Sequence, residues 1–195
     1  MKETMTVFIL ALVTLSISGC SVFGDSGVEI APYTVLEKEE AFELRHYDRL
    51  VLVTTPMAGL GEQNSPFSRL FDYISGNNSG TEKIAMTAPV FMDQSESMSE
   101  TMSFVLPESF SFEDAPKPQD PSVQLEEITD YTVATVTFSG LLRQDNIQKH
   151  KELLEDWIEQ RSFKTTGPAK AAGYNPPFTI PSMRRNEVLI PVEKP

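Results

Sequence analysis

The sequence predicts an α+β domain, with a mostly antiparallel sheet or distorted barrel and two helices. Three observations lead there. Runs rich in β-branched residues, bounded by turn residues, recur between residues 33 and 192. Two segments carry apolar residues at helical spacing. The order strand, strand, helix, strand, strand occurs twice, on either side of a proline-rich connector at residues 112–121 that holds Pro116, Pro118 and Pro121. The halves share this order but little sequence, which points to a pseudo-two-fold internal repeat.

In the first half, Tyr33, Val35 and Glu37 alternate with Thr34 and Leu36, and Phe42-Glu43-Leu44-Arg45 alternates again. Leu50-Val51-Leu52-Val53-Thr54-Thr55 is a β-branched run ended by Pro56, and these segments read as two or three strands joined by tight turns. Ser65 suits an N-cap and Pro66 the first helical position. Phe67, Leu70, Phe71 and Ile74 then form one apolar stripe, and Ser75-Gly76-Asn77-Asn78 stops the helix, expected over residues 65–75. Ile84, Met86, Ala88 and Val90 face one way, as in a strand, with Pro89 marking an edge or bulge. Residues 102–106 are the next strand, reached through a polar hairpin at 93–100. In the second half, strands are expected at 123–128 and 131–138, and Ser139-Gly140 turns the chain. A helix follows over 144–161, with Ile147, His150, Leu154, Trp157 and Ile158 as its apolar stripe. The last strands are expected at 170–174 and 187–192.

The N-terminal region carries a different signal. Residues 5–15 are apolar apart from two threonines, and small residues then lead to Cys20, the only cysteine. The stretch is too short for a comfortable transmembrane helix and suits the apolar part of a signal peptide. The pattern looks like a bacterial lipoprotein signal. Residues 1–19 are therefore expected to be removed, residues 20–31 to form a lipidated tether, and residues 32–195 to form one domain. Acylation of Cys20 would hold the protein to the cell envelope. Ser21 favours the outer membrane, facing the periplasm, in a cell with two membranes.

Composition narrows the partners. The formal net charge is −12, and losing Lys2 together with Glu3 leaves it unchanged. Such a body repels nucleic acid and anionic lipid, so no nucleic-acid partner is expected and attachment must come from acyl chains. With Cys20 acylated, no disulfide or thiol chemistry remains. No Gly-x-Ser-x-Gly and no phosphate-cradling glycine loop occurs. The two histidines, His46 and His150, are too far apart for a metal-binding spacing, and no metal other than haem iron is expected. His150 falls on the stripe of the second helix and reads as a core or boundary residue. A single imidazole at His46 has the chemistry of an axial haem ligand, or is an ordinary surface histidine. Glu187 opens an apolar strand and needs a partner such as Arg184 or Arg185. Met57, Met86, Met92, Met98, Met102 and Met183, with Phe67, Phe71, Phe104, Phe178 and Trp157, either line an adaptable apolar groove or fill the core.

Several runs resemble the SOUL family of haem-binding proteins. They are Tyr33 with Phe42-Glu43-Leu44-Arg45-His46-Tyr47, the helix from Phe67 to Asn78, and Lys83-Ile84-Ala85-Met86-Thr87-Ala88-Pro89-Val90, the most specific of them. Met102-Ser103-Phe104-Val105-Leu106-Pro107, Ala115-Pro116 with Pro118, Phe138-Ser139-Gly140, Ala172-Gly173-Tyr174-Asn175-Pro176-Pro177 and Arg184-Arg185-Asn186-Glu187-Val188 extend the match. The resemblance implies a distorted antiparallel β-barrel flanked by two helices, with internal pseudo-symmetry. It implies binding of haem or another tetrapyrrole in an apolar groove along the first helix. Phe67, Leu70, Phe71 and Met86 are the residues expected in that groove. His46 stands at the family's histidine position, after the Glu-x-Arg motif, and would be the ligand to haem iron.

The leading expectation is thus a lipid-anchored envelope protein binding haem or a related tetrapyrrole. The alternatives are a protein- or peptide-interaction module of the envelope, and a hydrolase of small apolar substrates using Glu187 and a tyrosine.

Overall fold

The computed structural model describes residues 27–57, 65–94 and 100–194. Cys20 and the expected signal over 1–19 lie outside these residues. The strands are β1 (Glu29–Ile30), β2 (Thr34–Glu39), β3 (Phe42–Pro56), β4 (Thr87–Ala88), β5 (Val90–Asp93), β6 (Thr101–Val105), β7 (Gln124–Phe138), β8 (Lys164–Thr165), β9 (Lys170–Gly173) and β10 (Asn186–Glu193). The helices are α1 (Pro66–Ile74) and α2 (Gln144–Gln160).

Six strands close into an antiparallel barrel in the order β3-β6-β5-β9-β10-β7, with β7 pairing back onto β3. Exchanging β3 with β7, β6 with β10 and β5 with β9 maps this order onto itself, and α1 with α2 follows. Helix α1 packs on β3 and β6, and α2 on β7 and β10. The expected internal pseudo-symmetry is therefore a property of the barrel, with β3 and β7 meeting at its seam.

Two corrections concern strand continuity. Residues 33–55 were expected as two or three strands joined by tight turns, and 123–128 and 131–138 as separate strands; residues 42–55 and 124–138 are each continuous. β3 and β7 are each one 15-residue strand. The polar breaks Asp48 and Asp130 look like turns in one dimension, but β3 and β7 stay in one register across them, with Tyr47 opposite Tyr131 and Arg49 opposite Thr129. The long cross-strand ladder overrides the local turn signal. In the opposite sense, the strand read through residues 83–90 divides at Pro89: Ala88 turns into the barrel interior, while Ile84 packs beneath α1. β5 and β6, on either side of the hairpin expected at 93–100, pair antiparallel, and residues 95–99 of that expectation lie outside the described residues.

Residues 29–31, expected within a tether over 20–31, belong to the folded body. β1 pairs in parallel with β4, and Ala31 is buried inside the barrel. The folded body thus takes in residues that small, polar composition marked as linker.

Three apolar clusters hold the domain. Tyr47, Leu50, Leu52, Phe91, Val105, Val133 and Leu189 fill the barrel. A second cluster lies beneath α2 and includes Ile147, Leu154, Trp157 and Ile158, as the helical stripe predicts. The third lies beneath α1. His150 is a boundary residue of α2: its ring stacks on Phe138 at 4.0 Å and its Nδ1 lies 2.7 Å from the Asn146 carbonyl.

Candidate functional site: an apolar cleft beside α1

Helix α1 leaves part of its apolar surface uncovered. Ser65 Oγ accepts the Ser68 N–H at 3.2 Å, with Pro66 in the first turn, so the helix starts where the cap signal places it. Gly76, at φ +117°, turns the chain away after the last turn. The stripe between them is wider than the core beneath can cover. Leu70, Tyr73 and Ile74 are buried with Val51, Val53 and Phe104. Phe67 and Phe71 lie on the flank and remain 45% and 49% exposed. Their rings stack, with centroids 6.1 Å apart and 13° between planes, and Phe67 meets Phe104 edge-on at 5.2 Å.

Opposite these rings stand Met86 and Val90, and Pro176 and Pro177 from the segment after β9. With Val28 and Gly173 they line a cleft of about 180 Å³. The expected groove residues thus separate. Phe67, Phe71 and Met86 line the cleft, whereas Leu70 faces the core, because a helix side chain three positions from Phe67 points to the sheet while its i+4 neighbour stays with it. Of the other methionines, Met92 packs against the α2 cluster, Met102 against the α1 cluster, and Met98 lies outside the described residues. The proline pair and Val28 were not foreseen as lining. Two consecutive prolines, separated by two residues from the end of a strand, were the available signal, since they form a stiff wall that cannot continue a ladder.

This division predicts unequal costs. Leu70→Ala should lower stability by about 2–5 kcal/mol, the range for a buried leucine. Phe71→Ala should cost about 1 kcal/mol or less, since half of its ring is already wet. Urea unfolding followed by Trp157 fluorescence measures both, and equal losses would contradict the division.

His46 does not share the cleft. It pairs with Thr34 on β2 and Thr132 on β7. Its Nδ1 is 3.1 Å from Thr132 Oγ1, and its Nε2 is 3.2 Å from the carboxylate of Asp48. It lines a separate depression of about 350 Å³ with Tyr33, Arg49, Leu106 and Phe110, and no residue lines both. The reason is the length of β3. Helix α1 covers that strand at Val51 and Val53, and five residues of strand beyond His46 amount to about 17 Å.

A charged network lies buried at one end of the barrel. Arg45 NH1 and NH2 donate to the two Glu187 oxygens at 2.7 and 2.9 Å. Arg185 reaches Glu187 Oε1 from Nε at 3.0 Å and NH2 at 2.7 Å, and the Tyr174 hydroxyl donates to Oε2 at 2.8 Å. Arg45 Nε also donates to Glu43 at 2.6 Å, which Lys38 meets at 2.8 Å. Burial alone would raise the Glu187 carboxyl, but the Arg45 and Arg185 guanidiniums outweigh it and hold that carboxyl below the usual carboxylate range. Burial pushes the Tyr174 hydroxyl well up, with the Glu187 charge acting in the same direction, so it stays a donor. Arg185 was an expected partner of Glu187. Arg45 was not, because it stands 142 positions away. Arg184 instead donates to the carbonyls of Thr179 and Pro177 and pins the loop after the cleft wall. Every Glu187 oxygen is occupied by donors, so this carboxylate holds the barrel end together and has no lone pair placed for general-base work.

The sequence and fold comparisons agree with this architecture. The family described as SOUL heme-binding protein matches residues 28–191. The chain belongs to the SOUL family. It is 30% identical to Heme-binding protein 2 of Homo sapiens over 179 residues, covering 82% of each chain. It is 27% identical to Heme-binding protein 1 of Xenopus tropicalis over 186 residues, covering 86% of this chain and 93% of that one. At the level of fold it resembles the EcmrR C-terminal domain, with TM-score 0.56 and 14% identity, covering 84% of this chain and 99% of that chain. A hydrolase from Listeria innocua gives TM-score 0.56 at 10% identity, covering 81% and 94%. This SOUL member therefore shares its barrel with proteins of differing function, and its own function must be argued from its site.

Proposed function

We propose that this SOUL protein is an acyl-anchored envelope protein that holds haem or a related tetrapyrrole against α1, in the cleft beside Phe67 and Phe71. The observation that carries the reading is the pair of stacked, half-exposed rings facing a proline wall. A flat apolar platform of this kind gains by covering itself with another flat apolar surface. The names of the relatives, Heme-binding protein 1 and 2, support the ligand class. The cleft tests the fit in one respect. Pockets that enclose a drug-sized molecule run to about 300–1,000 Å³, whereas this one is about 180 Å³. It receives one edge of a macrocycle, and the remainder rests on Phe67 and Phe71 with its carboxylates towards water. In this pose the chain binds and orients the ring and supplies no proton or electron.

His46 is not an iron ligand in this reading, since it lines the other depression. Its two ring nitrogens already face Thr132 and Asp48. Haem titration of the full chain, followed by absorption, decides the matter. Saturable binding with an unchanged Soret band in His46→Ala is the expected result. A shifted band in that variant would move the ligand to the His46 depression, and absence of saturable binding would overturn the tetrapyrrole reading. The anchor has its own measurement. Mass spectrometry of the N-terminus should find a chain that begins at an acylated Cys20, and a retained Met1 would refute it.

A further inference from the structure

The segment after the cleft wall carries the most exposed apolar side chains of the described residues. Phe178 is 86% exposed, Ile180 62% and Met183 67%. They follow Pro176 and Pro177 directly, on two successive turns closed by Thr179 N–H to the Pro176 carbonyl and Met183 N–H to the Ile180 carbonyl. Arg184 clamps this loop through the carbonyls of Pro177 and Thr179, and Gly140 N–H donates to the Pro181 carbonyl. The loop is thus held in shape while its large apolar groups face water. Among the described residues that arrangement serves no packing purpose.

Two further observations say what it meets. Residues 174–186 contain no aspartate or glutamate in a chain of net charge −12; Arg185 there is neutralised by Glu187, and Arg184 is the arginine of this segment with no carboxylate pair among the described residues. In addition, Val28 lines the same cleft. It follows Cys20 by eight positions, a span of at most about 28 Å when fully extended. An acyl chain on Cys20 would therefore join the folded body on the side of this cleft.

We propose that the Phe178–Met183 loop rests on the lipid bilayer, with the Phe67–Phe71 cleft opening beside it, so that an apolar ligand passes between membrane and cleft without crossing water. The inference rests on the proposed acylation of Cys20. The acyl group alone fixes distance, and the loop adds orientation: shallow insertion of two or three apolar side chains turns a tethered body into one with a defined face. The net charge does not oppose this, because the local surface is apolar, free of carboxylates over residues 174–186, and carries Arg184 at its edge.

The test uses the full, natively acylated chain in vesicles of phosphatidylethanolamine and phosphatidylglycerol. A nitroxide is placed on Ser182→Cys in the loop, or on Gln148→Cys on the exposed side of α2. Accessibility to a water-soluble paramagnetic reagent is then measured, and Cys20 acylation is checked on the same samples by mass spectrometry. The expected result is severalfold lower accessibility at position 182 than at 148. In the Phe178→Ser, Ile180→Ser, Met183→Ser background, accessibility at 182 should rise to that at 148 while the chain stays on the vesicles. Equal accessibility at 182 and 148 on an acylated chain overturns the loop contact and leaves the anchor standing. An unacylated chain that does not partition to vesicles overturns the anchor reading, and the inference falls with it.

Discussion

Arg45→Ala is expected to destabilise the domain by about 3–5 kcal/mol, the cost of removing one partner from a buried ion pair. That is a large share of the roughly 5–15 kcal/mol that holds a domain folded. Arg45 is buried, and its loss leaves Glu187 with one guanidinium, that of Arg185, beside the Tyr174 hydroxyl, and strips Glu43 of its inner partner. Glu187→Gln preserves shape but leaves Arg45 and Arg185 without their shared counter-charge, so it should also cost several kcal/mol. The pH dependence separates charge from packing. The folded Glu187 carboxyl lies below its usual value of 4.5, so its contribution is complete above that value and is lost as pH falls through the folded pKa. Wild-type stability should decline below pH about 4.5, and Glu187→Gln should decline less steeply. A residual slope is expected from Glu43, also held low: burial would raise it, but Lys38 and Arg45 prevail. Urea midpoints between pH about 3 and 7 measure this. A loss below about 1 kcal/mol in Arg45→Ala would mean that the network contributes little to holding the barrel end.

The second large effect concerns binding. Phe67→Ala with Phe71→Ala should weaken tetrapyrrole affinity by about 30-fold. Fully burying a phenylalanine is worth about 1.5–3 kcal/mol, and about half of each ring is available, so the pair contributes about 2 kcal/mol. The fold should survive, because Leu70, Tyr73 and Ile74 still hold α1 to the barrel. Phe67 should account for the larger stability loss of the two, since only it also packs on Phe104. Fluorescence or absorption titration of the double variant provides the measurement. An affinity within about twofold of wild type would show that the ring does not lie on this platform.

Local chemistry in the chain dictates the helices, the cap of α1 and the face of α2 that is buried. Serine-proline at the start of α1, glycine after its end and the stripe from Ile147 to Ile158 act over a few residues, and the structure follows them closely. The family motifs carry the barrel as well, from residue 28 to residue 191. Tertiary structure alone decides the rest. Whether Asp48 and Asp130 end a strand depends on the ladder between β3 and β7, which spans 12 matched positions and outweighs two local turn formers. The apolar stripe of α1 does not reveal which part the sheet will cover, so Leu70 and Phe71 look alike in sequence and differ entirely in exposure. His46 and the aromatic platform stand in neighbouring motifs but on separate surfaces, because a 15-residue strand carries them apart. The partner of Glu187 was half legible: Arg185 lies two positions away, whereas Arg45 reaches it only after the barrel has closed. Short-range preferences act before folding and can be read from spacing, but which surfaces meet is settled by closure of the barrel, which joins residues more than a hundred positions apart.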